Sequence, residues 1–134
     1  MVRMPAHHSC RQRGVGFTLI ELLVVLAIMA TLMSIVAPRY LDSVDRAKEA
    51  TLKTNLRIVR ESIDKYRADT GKYPETLAQL VEARYIHALP EDPFTERNDT
   101  WIVVLPPNGV TSGIYDIHSG AQGAGRDGKP FRQW

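Results

Sequence analysis

An apolar run from Phe17 to Ala37, broken by a single carboxylate at Glu21, constrains this chain more than any other feature. Wound as a helix, the run would extend about 31 Å, enough to cross the hydrocarbon core of a bilayer. Glu21 is its only ionisable residue. An ionised group inside a membrane segment is costly, and such a residue generally has a partner and a function. The run therefore declares a membrane-inserted helix with one acid near its start.

The flank gives that helix a direction. Residues 1–16 contain Arg3, Arg11 and Arg13 and no acid, so the positive-inside bias puts this end in the cytoplasm. A secretory signal peptide carries its small-residue cleavage site after the apolar stretch. Here the small residue, Gly16, precedes it. On hydropathy alone, an uncleaved signal anchor with an incidental glycine at its edge reads these residues as well as a cleaved leader does.

The order of the residues adds to this. Arg13-Gly14-Val15-Gly16-Phe17-Thr18-Leu19-Ile20-Glu21-Leu22-Leu23-Val24-Val25 resembles the N-terminal signal of type IV prepilins and type II secretion pseudopilins. The resemblance implies cleavage after Gly16 by a prepilin peptidase on the cytoplasmic side, followed by N-methylation of Phe17. Glu21 becomes the fifth mature residue. Pro38 becomes the twenty-second, where the family often has a helix-disturbing proline. One departure is that Gly14 and Val15 stand between the basic residue and the cleaved pair.

Composition has to be recounted on that basis. The whole chain has 17 Lys+Arg and 15 Asp+Glu; without the three leader arginines the balance is 14 against 15, a net charge near −1. No broad basic surface then remains to recruit nucleic acid. The one cysteine, Cys10, also leaves with the leader. The mature chain cannot form the disulfide common in adhesive pilins, and its stability rests on packing or on a metal.

Past Pro38 the helical period continues. Leu52, Leu56, Val59, Ile63 and Tyr66 recur at steps of four, three, four and three, one apolar stripe. The charges between them, Arg57, Arg60, Glu61 and Asp64 among others, read as a solvated face or as contacts between filament subunits. Pro38 has no amide hydrogen and crowds the preceding turn, which predicts a kink there. The pattern predicts one helix of about 50 residues, from Phe17 to near Ala68, halted by Gly71 and Pro74. A second helix is expected over Thr76 to Ala83, and strands over Trp101–Leu105 and Gly113–His118 around the turn cluster Pro106-Pro107-Asn108-Gly109. The glycine-rich tail from Ser119 is expected to close with a short last strand.

The second half narrows the resemblance. Tyr66-Arg67-Ala68-Asp69-Thr70-Gly71-Lys72-Tyr73-Pro74 is similar to the tyrosine-x-x-aspartate-x-glycine-x-tyrosine-proline motif of the major type II secretion pseudopilin family, the G proteins. Leu89-Pro90-Glu91-Asp92-Pro93 and Ile114-Tyr115-Asp116-Ile117-His118-Ser119-Gly120 resemble two further segments of that family. After Phe94 the family's tryptophan-glycine-asparagine-proline run is replaced by Thr95-Glu96-Arg97-Asn98.

The resemblance implies an α+β, type IV pilin-like fold, in which a long N-terminal helix, half transmembrane and half amphipathic, packs on a small antiparallel sheet. It divides the chain into a cleaved leader (1–16), a transmembrane and filament-core helix (17–38) and a periplasmic head (39–134). It implies a structural subunit of a periplasmic pseudopilus, a homo-oligomeric filament drawn from the inner membrane that drives folded exoproteins through an outer-membrane secretin. Its other partners would be the prepilin peptidase, minor pseudopilins, an assembly platform and an ATPase. The rival readings are a type IV pilus subunit and a signal-anchored periplasmic binding domain.

The family's C-terminal loop commonly holds Ca²⁺, and here the residues matching its glycine-alanine-aspartate-glycine stretch are Gly120-Ala121-Gln122-Gly123. Asp127, with Asp116 and Ser119, is the candidate remainder of a calcium site. The other reading of Asp127-Gly128 is a hairpin turn. Calcium prefers six to eight oxygens and tightens with carboxylate count, so one or two acids make a weak site. Asp116, His118 and Ser119 include triad residue types. On one strand, however, 116 and 118 share a face that 119 does not, which argues against an enzyme. His87 and His118 are too isolated to suggest zinc.

Overall fold

Thr18 and Glu21 begin the first helix by capping one another. In the computed structural model, which describes residues 16–107 and 112–134, helix α1 spans Leu19–Thr70. The Thr18 amide and hydroxyl donate to Glu21 Oε2 at 2.9 and 3.1 Å, and the Glu21 amide donates back to Thr18 Oγ1 at 3.3 Å. This is a reciprocal capping box, and it moves the helix start from the expected Phe17 to Leu19. At the other end Gly71 takes φ +75° and its amide donates to Arg67 O at 2.8 Å, a left-handed stop that a residue with a Cβ resists. Pro38 lies within the helix.

Two units divide the chain, Met1–Tyr40 and Leu41–Trp134. In the first, every described residue is exposed, including apolar side chains such as Leu22, Val25, Leu32 and Val36. Its hydroxyls are satisfied within the helix: Thr31 Oγ1 donates to Ala27 O at 2.9 Å and Ser34 Oγ to Thr31 O at 2.7 Å. Such back-bonding is how a helix hides hydroxyls from lipid. The helix is long and apolar enough here to cross a membrane.

In the second unit the apolar stripe of α1 forms one wall of the core. Leu52, Leu56, Val59 and Ile63 are buried, and Tyr66 packs against them. Helix α2, Leu77–Glu82, is capped by Thr76, whose hydroxyl accepts from the Gln79 amide, and closed by Ala83. It contributes the fully buried Leu80. Strands β1 (Ile102–Val104) and β2 (Asp116–His118) pair antiparallel with Ile102 opposite His118 and Val104 opposite Asp116. Ile117 of β2 points into the core beside Ile114, Trp101 and Phe131.

Both strands are shorter than the expected Trp101–Leu105 and Gly113–His118, for reasons of hydrogen bonding. The Ile114 amide donates to Pro74 O at 2.7 Å and is lost to the sheet. Pro106 and Pro107, after β1, have no amide to offer. The rest of the turn cluster, Asn108 and Gly109, lies outside the described residues, as does the expected leader apart from Gly16.

The expected last strand is instead a 3₁₀ turn, Phe131–Gln133. Ala124 and Pro130 form one isolated bridge. Pro130 cannot extend it as a donor, and the chain winds up with Gln133 N donating to Pro130 O at 2.9 Å. Between them, Gly125 N donates to Lys129 O and Gly128 N to Gly125 O, both at 2.9 Å, with Gly128 at φ +77°. Asp127-Gly128 thus forms a tight turn.

Candidate functional site

At the N-terminal motif, Gly16 and Phe17 precede the helix and are exposed, and a side chain added at Gly16 would meet no atom within 4 Å. Phe17 has 93% of its surface accessible. One turn later the Glu21 carboxylate is engaged by Thr18, so among the described residues it has donors but no counter-charge. A capped carboxylate at a helix start also complements the helix dipole. The motif therefore presents an exposed Gly16-Phe17 pair followed by an acid on an apolar stem.

In the head, the motif from Tyr66 to Pro74 is a connected device. Tyr66 meets the Tyr85 ring edge-on, with centroids 5.4 Å apart, and the Tyr85 hydroxyl donates to Asp69 Oδ2 at 2.7 Å. That bond holds the Tyr85 hydroxyl above the ordinary tyrosine range, because it favours the neutral phenol; burial and the Asp69 charge add to it. Gly71 turns the chain, Tyr73 packs edge-on against Tyr115 and takes the Arg67 guanidinium over its face, and Pro74 O receives Ile114. Gly113 completes the contact: a Cβ there would lie 2.5 Å from Tyr73 Cβ.

The proline-punctuated connection is organised around Asp92, which is fully buried. Its Oδ1 accepts from Phe94 N at 2.9 Å and its Oδ2 accepts from the Ser119 hydroxyl. Pro90 O accepts from the Trp101 indole at 3.0 Å and Glu91 O from Asn55 Nδ2 at 2.8 Å. Downstream, Arg97 pairs with Asp99, and its hydrogen bond holds the Asp99 carboxyl below the usual range.

The family model of type II secretion system protein G covers residues 39–131, and the prokaryotic N-terminal methylation motif covers residues 16–37. This chain belongs to the type II secretion system protein G family. It is 32% identical to a type II secretion system core protein G of Klebsiella michiganensis, over 90% of this chain and 89% of that one. It is 30% identical to the protein of that name from Pseudomonas aeruginosa (89% and 88%) and 31% to that from Escherichia coli (85% and 83%). No solved structure gives a significant match.

The residues suggested for calcium are each engaged elsewhere in this chain. Asp116 Oδ1 accepts from Arg60 Nε at 2.6 Å and from the Ile117 amide at 2.7 Å. Ser119 serves Asp92 and accepts from the Ala121 amide. Asp127 Oδ1 accepts from Lys129 N at 3.1 Å, within its own turn. Among the described residues no three His, Cys, Asp or Glu side chains cluster as metal ligands. A guanidinium in contact with one proposed ligand is the wrong charge for a cation's neighbour. As arranged, the three do not fit a calcium cage.

Asp116, His118 and Ser119 do not converge as a triad either. Asp116 faces Arg60, His118 Nδ1 meets the Trp134 main-chain oxygen, and Ser119 is buried against Asp92. His87 is exposed. The sequence did not single out Arg60, Asp92 or Trp134 as centres of the head; each acts through partners far away in the chain.

Proposed function

We propose that this chain is a structural, non-catalytic subunit of a type II secretion pseudopilus, anchored by its N-terminal helix and assembled through Glu21. The observation that carries this reading is one acid on an otherwise apolar, exposed stem within the methylation motif. The subunit would be held in the inner membrane with its head in the periplasm. A prepilin peptidase removes residues 1–16 by cutting after Gly16, and Phe17 is N-methylated.

Extraction from lipid into a filament places Glu21 in a low-dielectric core. There the new amino terminus at Phe17 of a neighbouring copy supplies the counter-charge that Thr18 cannot. An unpaired carboxylate in such a place is heavily penalised, so the pairing sets the axial register. Pro38, which has no amide to give the Ser34 carbonyl, is where the helix loosens as subunits pack. The platform, the ATPase, minor pseudopilins and the secretin supply the machinery that grows the filament and gives exoproteins their exit.

The test has two parts. Protein recovered from its native membrane should have lost Met1–Gly16 and carry one methyl group on Phe17 by intact mass and N-terminal sequencing. Glu21→Val should stay membrane-inserted and processed yet form no filament; normal filaments from that variant would remove the pairing. An intact leader in cells with an active peptidase would favour a simple anchored domain.

A further inference from the structure

We propose that Arg60 fastens the C-terminal segment of this head, so that the segment stays in place without a divalent cation. Arg60 sits on α1, and its guanidinium reaches three acceptors that are distant in sequence. Nε donates to Asp116 Oδ1 at 2.6 Å, while Nη2 donates to Ile117 O and to the Trp134 main-chain oxygen, each at 2.8 Å. One carboxylate and two backbone oxygens are the kinds of group that a calcium ion collects. Here a fixed planar cation collects them, and its fork geometry suits several oxygens at once.

The space beside the fork is poorly suited to a divalent ion. A cavity of about 380 Å³ lies beside this fork, lined by Lys53, Arg60 and Lys129 with Asp127 as its one acid. With Arg60 already paired to Asp116, two lysines still face the single Asp127 carboxylate, a lining that disfavours a divalent ion. Lys53 also covers the Trp134 ring, 4.5 Å from its centroid, and His118 Nδ1 meets the same Trp134 oxygen that Arg60 holds. The last residues are thus held from the helix, from β2 and through their own aromatic ring. Gln122, where a carboxylate would be expected for calcium, is exposed. No chelator removes an arginine.

The test uses the full chain in detergent micelles. Its thermal midpoint, followed by tryptophan fluorescence, should agree within about 1 °C between EGTA and excess CaCl₂, whereas a cation bound at saturation would raise it by roughly 10 °C or more. Trypsin cleavage after Arg126 reports release of the segment. Arg60→Ala should speed that cleavage about tenfold or more, because proteolysis follows the population of the open form. Arg60→Lys keeps the charge and stem but loses the fork, so it should be cleaved at an intermediate rate; it carries the test if Arg60→Ala does not fold. A midpoint that rises with calcium overturns the proposal. So does tail cleavage that Arg60→Ala and Arg60→Lys leave at the parent rate.

Discussion

The Tyr85 hydroxyl donates to Asp69 Oδ2 at 2.7 Å across sixteen residues of chain, tying the end of α1 to the segment that follows α2. The phenol must be neutral to donate. Its folded pKa is raised, so this bond contributes stability in full below the ordinary tyrosine value, and the contribution is lost as pH climbs through the raised one. Tyr85→Phe should therefore lower the thermal midpoint at neutral pH. The gap between variant and parent should close above about pH 10. Melts of both proteins across an alkaline pH series check this; a gap that stays constant would show that the bond contributes nothing through its proton.

Two positions on one helix separate packing from exposure. Leu56 is 2% accessible inside the core, whereas Ile58, two residues on, is 41% accessible. Leu56→Ala leaves a cavity and should cost about 2–5 kcal/mol in urea unfolding. Ile58→Ala removes surface that is partly in water already and should stay within about 0.5 kcal/mol. Equal losses would mean that the stripe is assigned to the wrong face.

That stripe was legible because a helical period is a local property: the spacing of Leu52, Leu56, Val59 and Ile63 names the buried side directly. The C-terminal stop of α1 was legible for the same reason, since Gly71 and Pro74 act on their own backbone, whereas the Thr18–Glu21 cap was not anticipated. The strands were not, because their length depends on distant acceptors; only the folded chain shows Ile114 N turning to Pro74 O. In the tail the proline at 130 was visible, but its consequence, a 3₁₀ turn in place of a strand, depends on where the bridge to Ala124 forms. Arg60 was hidden among the other charges on its helix, since its partners lie 56, 57 and 74 residues away. Asp92 was visible as part of the Leu89–Pro93 motif, but its burial against Ser119 cannot be read from that motif. The N-terminal motif was legible as a motif because its residues are consecutive.

Gly120 is needed for space rather than for a left-handed backbone. A Cβ at this position would lie 1.9 Å from Thr100 O, a backbone atom that cannot rotate away. Gly120→Ala must push the segment after β2 off the chain leading into β1. We expect a loss of about 1–3 kcal/mol, the usual cost of overpacking. Gly128→Ala is a comparison of a different kind, because nothing lies within 4 Å of its Cβ and only its φ of +77° resists the change. Denaturation of the two variants side by side should show Gly120→Ala as the more damaged.

Asp92 and Ser119 form the buried polar contact on which the head's connections converge. Both are fully inaccessible, and the Asp92 carboxyl also takes the Phe94 amide while Ser119 Oγ takes the Ala121 amide. Removing either side chain leaves buried groups without partners, each costing about 1–3 kcal/mol. Asp92→Ala orphans Phe94 N and the Ser119 hydroxyl together, and should be the worse single change. Ser119→Ala orphans one carboxyl oxygen and the Ala121 amide. Because the two residues share one hydrogen bond, the double variant should be less damaged than the sum of the singles, with a coupling of about 0.5–3 kcal/mol. Urea unfolding of the four proteins measures that coupling directly. Strict additivity would mean that the contact does not join the loop at Asp92 to the end of β2.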